Sequence, residues 1–91
     1  MQRQRKMRSL NMSYARQQTI YRTCRNYAVQ NDAVKTKIRR TARTVCRADE
    51  QKYQALMAIL VTDMPIRRIA LEHYYDESVL YRLRKAFYEE Y

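Results

Sequence analysis

Apolar residues recur every three or four positions along most of this chain, which is the spacing of amphipathic helices. A first stripe predicts a helix within about residues 11–30, and Ser13 can start it. Asn31 and Asp32 then form a natural break and N-cap. Beyond them a second stripe predicts a helix to about residue 47, and its apolar members are Val34, Ile38, Ala42 and Val45.

Three further helices are predicted in the second half of the chain. Asp49 can cap a helix from about Glu50 to Thr62, and the wide apolar face of this helix makes it the expected centre of the core. Because proline is tolerated only in the first turn of a helix, Pro65 predicts a short helix that runs to about Tyr74. A last helix is expected from about Glu77 onward.

The composition favours the same fold class. The chain has no glycine and only one proline, so it lacks the turn residues of a sheet, whereas good helix formers are abundant. Its 91 residues bury a modest core. We therefore expect an all-α, small helical bundle of about four to five helices. Residues 1–10 are expected to form a flexible basic arm, 11–47 a basic helical region and 48–91 the helical core.

Charge is distributed unevenly along the chain. The net charge of +10 suggests a polyanionic partner. Residues 1–47 hold thirteen lysines and arginines against one acid, Asp32, whereas residues 48–91 hold six against eight acids. We interpret the basic helix that follows Asp32 as a phosphate-contacting face. An acidic protein surface is its alternative partner.

The sequence offers little catalytic chemistry. Cys24, Cys46 and His73 are too few and too scattered for a zinc site, so we expect free buried thiols, with a disulfide as the alternative. Without glycine no phosphate-binding loop can form. No catalytic set is visible either, and no enzyme activity, metal or cofactor is predicted. No segment resembles a membrane span or a signal peptide, which favours an intracellular protein.

Residues 69–83 have the spacing of a helix-turn-helix. Ala70 is the small residue that two crossing helices need where they touch, and Leu80 and Leu83 follow ten and thirteen positions later. Between them Asp76 can cap the second helix by accepting hydrogen bonds from the N–H groups of Ser78 or Val79. The all-α bundle is therefore expected to end in a C-terminal helix-turn-helix.

Residues 64–86, about a quarter of the chain, resemble the C-terminal helix-turn-helix of bacterial sigma factors (region 4) and of small region-4-like activators of Gram-positive phages and mobile elements. The chain departs from the family pattern at three positions. Asp76 stands in place of the capping serine, His73 in place of an apolar residue, and Tyr74 in place of the turn glycine. Because a positive φ is costly for tyrosine, we expect the turn to be displaced by one residue. The matching residues are Ile69, Ala70, Ser78, Leu80, Tyr81, Arg82, Arg84 and Lys85.

The resemblance implies that the second helix enters the major groove of double-stranded DNA. Arg82 would pair with guanine, Glu77 would accept from cytosine N4 and Val79 would touch a thymine methyl. The candidate base-reading residues are Glu77, Ser78, Val79, Tyr81, Arg82 and Lys85. The candidate phosphate-contacting residues are Lys35, Lys37, Arg39, Arg40, Arg43, Arg67, Arg68 and Arg84.

The predicted function is sequence-preferring DNA binding by a phage or mobile-element transcriptional regulator in the bacterial cytoplasm. RNA polymerase and a second copy of the chain are candidate further partners. One alternative is a protein-interaction module that docks on RNA polymerase or on an acidic partner. A second is an RNA or single-strand binder that stacks bases on some of the nine tyrosines. A third is a structural phage protein.

Overall fold

The computed structural model describes residues 10–91, and within them it contains five α-helices and no strand. The all-α prediction is thereby confirmed. The arm predicted for residues 1–10 lies outside the described residues except for Leu10, which is buried in the core. The helices are α1 Tyr14–Arg25, α2 Asp32–Cys46, α3 Glu50–Val61, α4 Ile66–His73 and α5 Glu77–Glu90, with a 3₁₀ helix Tyr27–Val29 after α1.

Side-chain oxygens cap the first three helices at the residues that the sequence predicts. Each oxygen accepts a hydrogen bond from the backbone N–H three residues later, which satisfies one of the donors that every helix start leaves free. These caps are Ser13 with Arg16 (3.1 Å), Asn31 with Val34 (2.9 Å) and Asp49 with Lys52 (3.0 Å).

The first helix is shorter than predicted. It ends at Arg25, and the chain continues through Asn26 into the 3₁₀ helix. The side-chain amide of Asn26 donates to the carbonyl oxygen of Arg22 at 3.0 Å. The backbone N–H of Asn26 donates to the same oxygen at 3.1 Å. Asparagine competes in this way with the regular helical pattern, so the predicted continuous helix to about residue 30 is wrong.

Helix α3 is the centre of the bundle, as predicted, because it contacts each of the other four α-helices. Tyr53, Leu56 and Leu60 pack in one cluster with buried residues of α1, α2 and α5. Ala55 and Ile59 pack in a second cluster with α4 and α5. A helix that buries two faces at once organises both halves of the core.

The aromatic residues at the end of α5 belong mostly to the core. Phe87 and Tyr88 are buried, and the Tyr91 ring stacks on Phe87 with centroids 5.5 Å apart. Tyr88, which is 3% exposed, is therefore a core residue. Tyr74, in contrast, is 93% exposed.

Both cysteines are free and buried, which confirms the prediction. Burial raises the pKa of the Cys24 thiol to about 12 and that of Cys46 to about 11. Protonated thiols are weak nucleophiles, so neither side chain is activated for chemistry.

Candidate nucleic-acid interface

The α4–α5 hairpin has its own small core. Ile69, Ala70 and Leu80 are buried together, and they pack on Ala55 and Ile59 of α3. Leu83 is half-buried and joins the same cluster. Ala70 is thus the small residue at the helix crossing, as the spacing predicts. The hairpin is thereby fixed to the rest of the bundle through α3.

The turn of the hairpin is held at Tyr74. This residue has a φ of 61° and a ψ of 42°, which is the left-handed helical conformation. The N–H of Tyr75 donates to the carbonyl oxygen of Ala70 at 2.9 Å, the six-to-one bond of a glycine-type helix ending. The expected displacement of the turn by one residue is therefore wrong. Tyr74 adopts the conformation that usually favours glycine, at a cost of roughly 1 kcal/mol.

Asp76 begins α5 without capping it through its side chain. Its backbone carbonyl oxygen accepts from the N–H of Val79 at 3.1 Å, but its carboxylate accepts nothing from Ser78 or Val79. The predicted side-chain cap is therefore wrong. The carboxylate is exposed, where hydration competes with a capping bond.

The first two turns of α5 present a polar outer face. Glu77, Ser78, Tyr81 and Arg82 are exposed, and as two adjacent pairs four residues apart they lie on one side of the helix. Val79 and Lys85, also predicted to be exposed, are half-buried. The structure therefore brings four of the six candidate base-reading residues together on an open surface.

The cations of α2 lie on its outer faces. Ile38, Ala42 and Cys46 are buried, whereas Lys37 and Arg40 are exposed. Lys37, Arg39 and Arg40 form no ion pair within residues 10–91. Their charge is therefore available to an external anion.

Two of the predicted phosphate contacts are instead paired with carboxylates. Arg43 bonds to Glu50, and this hydrogen bond lowers the pKa of the Glu50 carboxyl and raises that of the guanidinium. Arg68 bonds to Glu72 at 3.2 Å, one helical turn away. Both pairs are exposed, so they are weak, but each reduces the local positive charge.

Tyr27 orients cations of α2 without neutralising them. The Arg39 Nη1 donates to the Tyr27 hydroxyl at 2.7 Å, and its Nη2 donates to Thr36 Oγ1 at 3.3 Å. The Lys35 ammonium lies 5.6 Å from the centre of the same ring. The sequence did not predict this role of Tyr27, because no local spacing predicts a contact twelve residues away.

Tyr91 also orients two cations, which come from different helices, without neutralising them. The Lys37 ammonium lies 4.0 Å from the centre of the Tyr91 ring, and the Arg16 guanidinium 5.9 Å from it. Such contacts restrain a flexible cation while its charge is retained. Arg16, which the sequence did not single out, therefore belongs to the basic surface.

The two remaining candidate phosphate contacts lie on the hairpin. Arg67 is exposed near the start of α4. Arg84 is half-buried, with its guanidinium 5.3 Å from the centre of the Tyr81 ring. Arg84 is therefore less accessible to an external anion than Arg67.

Helices α2 and α5 pack against each other, and the neighbours of their ends show that they run in opposite directions. Near the start of α5, burial raises the pKa of the Tyr75 hydroxyl. Asp49, just beyond the end of α2, and Cys46, the last residue of α2, lie nearby and raise this pKa further. Near the end of α5, Tyr91 contacts Lys37. The outer face at the start of α5 and the Lys37 side of α2 therefore lie towards opposite ends of α5.

No family model matches this chain, and neither the curated proteins nor the solved structures include one with significant similarity to it. Within residues 10–91, no group of three or more His, Cys, Asp or Glu side chains is placed to hold a metal ion. No helix of that same part of the chain is both long enough and apolar enough to cross a bilayer.

Proposed function

We propose that this chain binds double-stranded DNA, with α5 reading the base sequence and α2 contacting phosphates. The observation that carries the proposal is the polar outer face of Glu77, Ser78, Tyr81 and Arg82, which a buried hairpin core supports from behind. A recognition helix needs this combination, because base contacts require side chains projecting from a rigid helix.

Arg82 is the best candidate for direct base recognition. It is exposed, it forms no ion pair within the described residues, and its guanidinium can bond to both O6 and N7 of guanine. Ser78, one turn earlier on the same face, can bond to several bases. Val79 is half-buried, so its proposed contact with a thymine methyl uses only the outer edge of the side chain.

Phosphate contact by α2 is supported by the charge of Lys37, Arg39 and Arg40, which form no ion pair within residues 10–91. Lys37 contacts Tyr91 at the end of α5 opposite to Glu77 and Ser78, and a 14-residue helix is about 20 Å long. In this proposal one duplex contacts both surfaces, since phosphates of one DNA strand follow each other about every 3.4 Å and about six base pairs cover that length.

The regulatory role rests on the resemblance of residues 64–86 to sigma region 4. On that basis we propose a transcriptional regulator of a phage or mobile element. RNA polymerase is its proposed protein partner, and a homodimer would supply two recognition helices for a two-fold site.

Selection of bound duplexes from a random pool tests the DNA proposal. The full chain should enrich a defined motif. Arg82→Ala should relax that motif at one position, whereas Lys37→Ala with Arg40→Ala should weaken capture of every sequence and leave the motif unchanged. Failure to enrich any motif, or preference for single strands or RNA in direct competition, would refute sequence-specific duplex binding.

A further inference from the structure

Arg47 adopts a backbone conformation that normally belongs to glycine. It follows the last residue of α2, with a φ of 57° and a ψ of −129°. The N–H of Asp49 donates to the carbonyl oxygen of Cys46 at 3.1 Å, so Arg47 is the first central residue of a tight turn and has the angles of type II′. A residue with a Cβ is strained at this position, and such outliers cluster at functional sites.

The side chain of Arg47 contributes no contact that offsets this strain. It is exposed, and within residues 10–91 it forms no ion pair and no contact with an aromatic ring. Asp49 is the nearest acid along the chain, but its carboxylate caps α3 by accepting from the N–H of Lys52 at 3.0 Å. The charge of Arg47 is therefore available to an external anion.

The turn that contains Arg47 lies beside the start of α5. Cys46 and Asp49, the two ends of the turn, both raise the pKa of the Tyr75 hydroxyl, so both lie close to it. Tyr75 stands two residues before the first residue of α5. Tyr74, next to it, is the second residue with a positive φ among residues 10–91. Both backbone outliers of the described chain therefore lie where the proposed recognition helix begins.

This end of α5 has no cation of its own. Residues 69–81 contain three acids and no lysine or arginine. Lys37 lies ten residues before Arg47, about 15 Å along α2, and it contacts Tyr91 at the other end of α5. A helix in the major groove is held in register by phosphate contacts around it. Near the start of α5, such a contact has to come from another element.

We propose that Arg47 binds a backbone phosphate of the DNA beside the groove that the start of α5 enters. Its guanidinium can donate two parallel hydrogen bonds to phosphate oxygens. Because the Cys46–Asp49 hydrogen bond holds the turn, the arginine projects from a fixed point and sets the position of α5 along the duplex. This contact rests on the proposed DNA binding and adds a residue to it.

Three substitutions separate the charge of Arg47 from its strain. Arg47→Gln removes the charge and keeps the Cβ, Arg47→Gly removes both, and Arg47→Lys keeps both. Affinity for the selected duplex is measured by fluorescence anisotropy between about 0.1 and 1 M salt. Arg22→Gln is the matched control, since Arg22 is an exposed cation of α1 that forms no ion pair among the described residues.

We expect Arg47→Gln and Arg47→Gly to lower the slope of log K against log salt by about 0.9 each. Their affinity should then fall about eightfold at about 0.1 M salt and match the original near 1 M. Arg47→Lys and Arg22→Gln should keep the original slope. An equal loss of slope in Arg22→Gln would overturn the contact, because any surface cation would then have the same effect.

Stability should change in the opposite direction to binding. Arg47→Gly should raise the urea midpoint while it weakens DNA binding, and Arg47→Gln should leave the midpoint unchanged. A cation at the end of a helix can also act only on the helix dipole. In that case Arg47→Gln would lower the midpoint and leave the salt slope as it was, which would overturn the proposal.

Neutral phosphates locate the contact on the duplex. In a methylphosphonate, a methyl group replaces one charged phosphate oxygen. Placed next to the base pair whose preference Arg82→Ala relaxes, it should weaken binding of the original chain and leave Arg47→Gln unaffected. Placed about six base pairs away, it should weaken both equally.

Failure of this contact and failure of the proposed function give different results. If the original chain binds no duplex, DNA binding is refuted and the contact with it. If the chain binds its selected duplex and Arg47→Gln has the original salt slope, DNA binding stands and only the contact is overturned.

Discussion

The N–H of Tyr75 donates to the carbonyl oxygen of Ala70 at 2.9 Å, and this bond closes the turn between α4 and α5. It requires the intervening Tyr74 to adopt a positive φ. Ala70 is at the same time the small residue buried against α3 and α5. Ala70 therefore fixes the position of α5 in two ways. Its side chain packs against α3 and α5, and its carbonyl oxygen accepts the hydrogen bond that closes the turn.

Replacing Tyr74 by glycine should raise the free energy of unfolding by about 0.5–1 kcal/mol. Glycine removes the steric cost of the left-handed conformation, although it gains more freedom in the unfolded chain. Urea denaturation measures the change. Tyr74→Ala is the control, because it removes the exposed ring and keeps the Cβ; its stability should stay within about 0.5 kcal/mol of the original. A clear loss of stability in the glycine variant would contradict the assigned turn.

Two leucines of the hairpin should respond very differently to truncation. Leu80 is fully buried, so Leu80→Ala should cost about 2–5 kcal/mol. Leu71 is 73% exposed, and Leu71→Ala should change the free energy of unfolding by less than about 0.5 kcal/mol. Thermal denaturation of both variants compares them directly. Similar destabilisation at the two positions would mean that the hairpin packs through a different face.

Arg82→Ala should reduce affinity for the selected duplex by about 1–3 kcal/mol and leave affinity for random duplexes nearly unchanged. The side chain is exposed and carries no structural contact between elements among the described residues, so the fold should be retained. Fluorescence anisotropy with both duplexes makes the comparison. Unchanged affinity and sequence preference would show that α5 does not read bases.

Removal of cations that form no ion pair among the described residues should flatten the salt dependence of DNA binding. If Lys37 and Arg40 each neutralise one phosphate, then Lys37→Ala or Arg40→Ala should lower the slope of log K against log salt by about 0.9. Arg43→Ala is the matched control on the same helix, because Arg43 is paired with Glu50 and should change the slope less. Equal effects at Arg40 and Arg43 would refute the special role of the unpaired cations.

The buried thiols should make the fold sensitive to alkali. The pKa of Cys24 rises from 9.0 to about 12 and that of Cys46 from 9.0 to about 11, both mainly through burial. The unfolded chain therefore loses these protons first, and stability falls as the pH rises from about 9 toward 12. Urea midpoints measured at about pH 8, 9 and 10 should decrease in that order. A Cys24→Ala variant should show a shallower decrease.

Thiol labelling gives a separate measurement of the same burial. At about pH 8 a thiol reagent should react slowly with the native chain and rapidly after denaturation, since both side chains are protonated and inaccessible in the fold. Fast labelling of Cys24 in the native chain would contradict its place in the core.

The sequence by itself determined the elements that depend on near neighbours. Helix periodicity and the caps at Ser13, Asn31 and Asp49 involve residues only a few positions apart, so their hydrogen bonds form within one local segment. The buried crossing at Ala70 also followed from spacing alone. These local rules predicted the correct order of helices and the buried positions of Ile69, Ala70 and Leu80 in the hairpin.

Only the tertiary structure decided features that join distant parts of the chain. The contact of Tyr27 with Arg39 and that of Tyr91 with Lys37 bridge different helices, and no periodicity encodes them. Tyr74 adopts a conformation that its local preference opposes. It does so because the packing of Ala70 and Leu80 and the Tyr75 hydrogen bond together outweigh a local cost of about 1 kcal/mol.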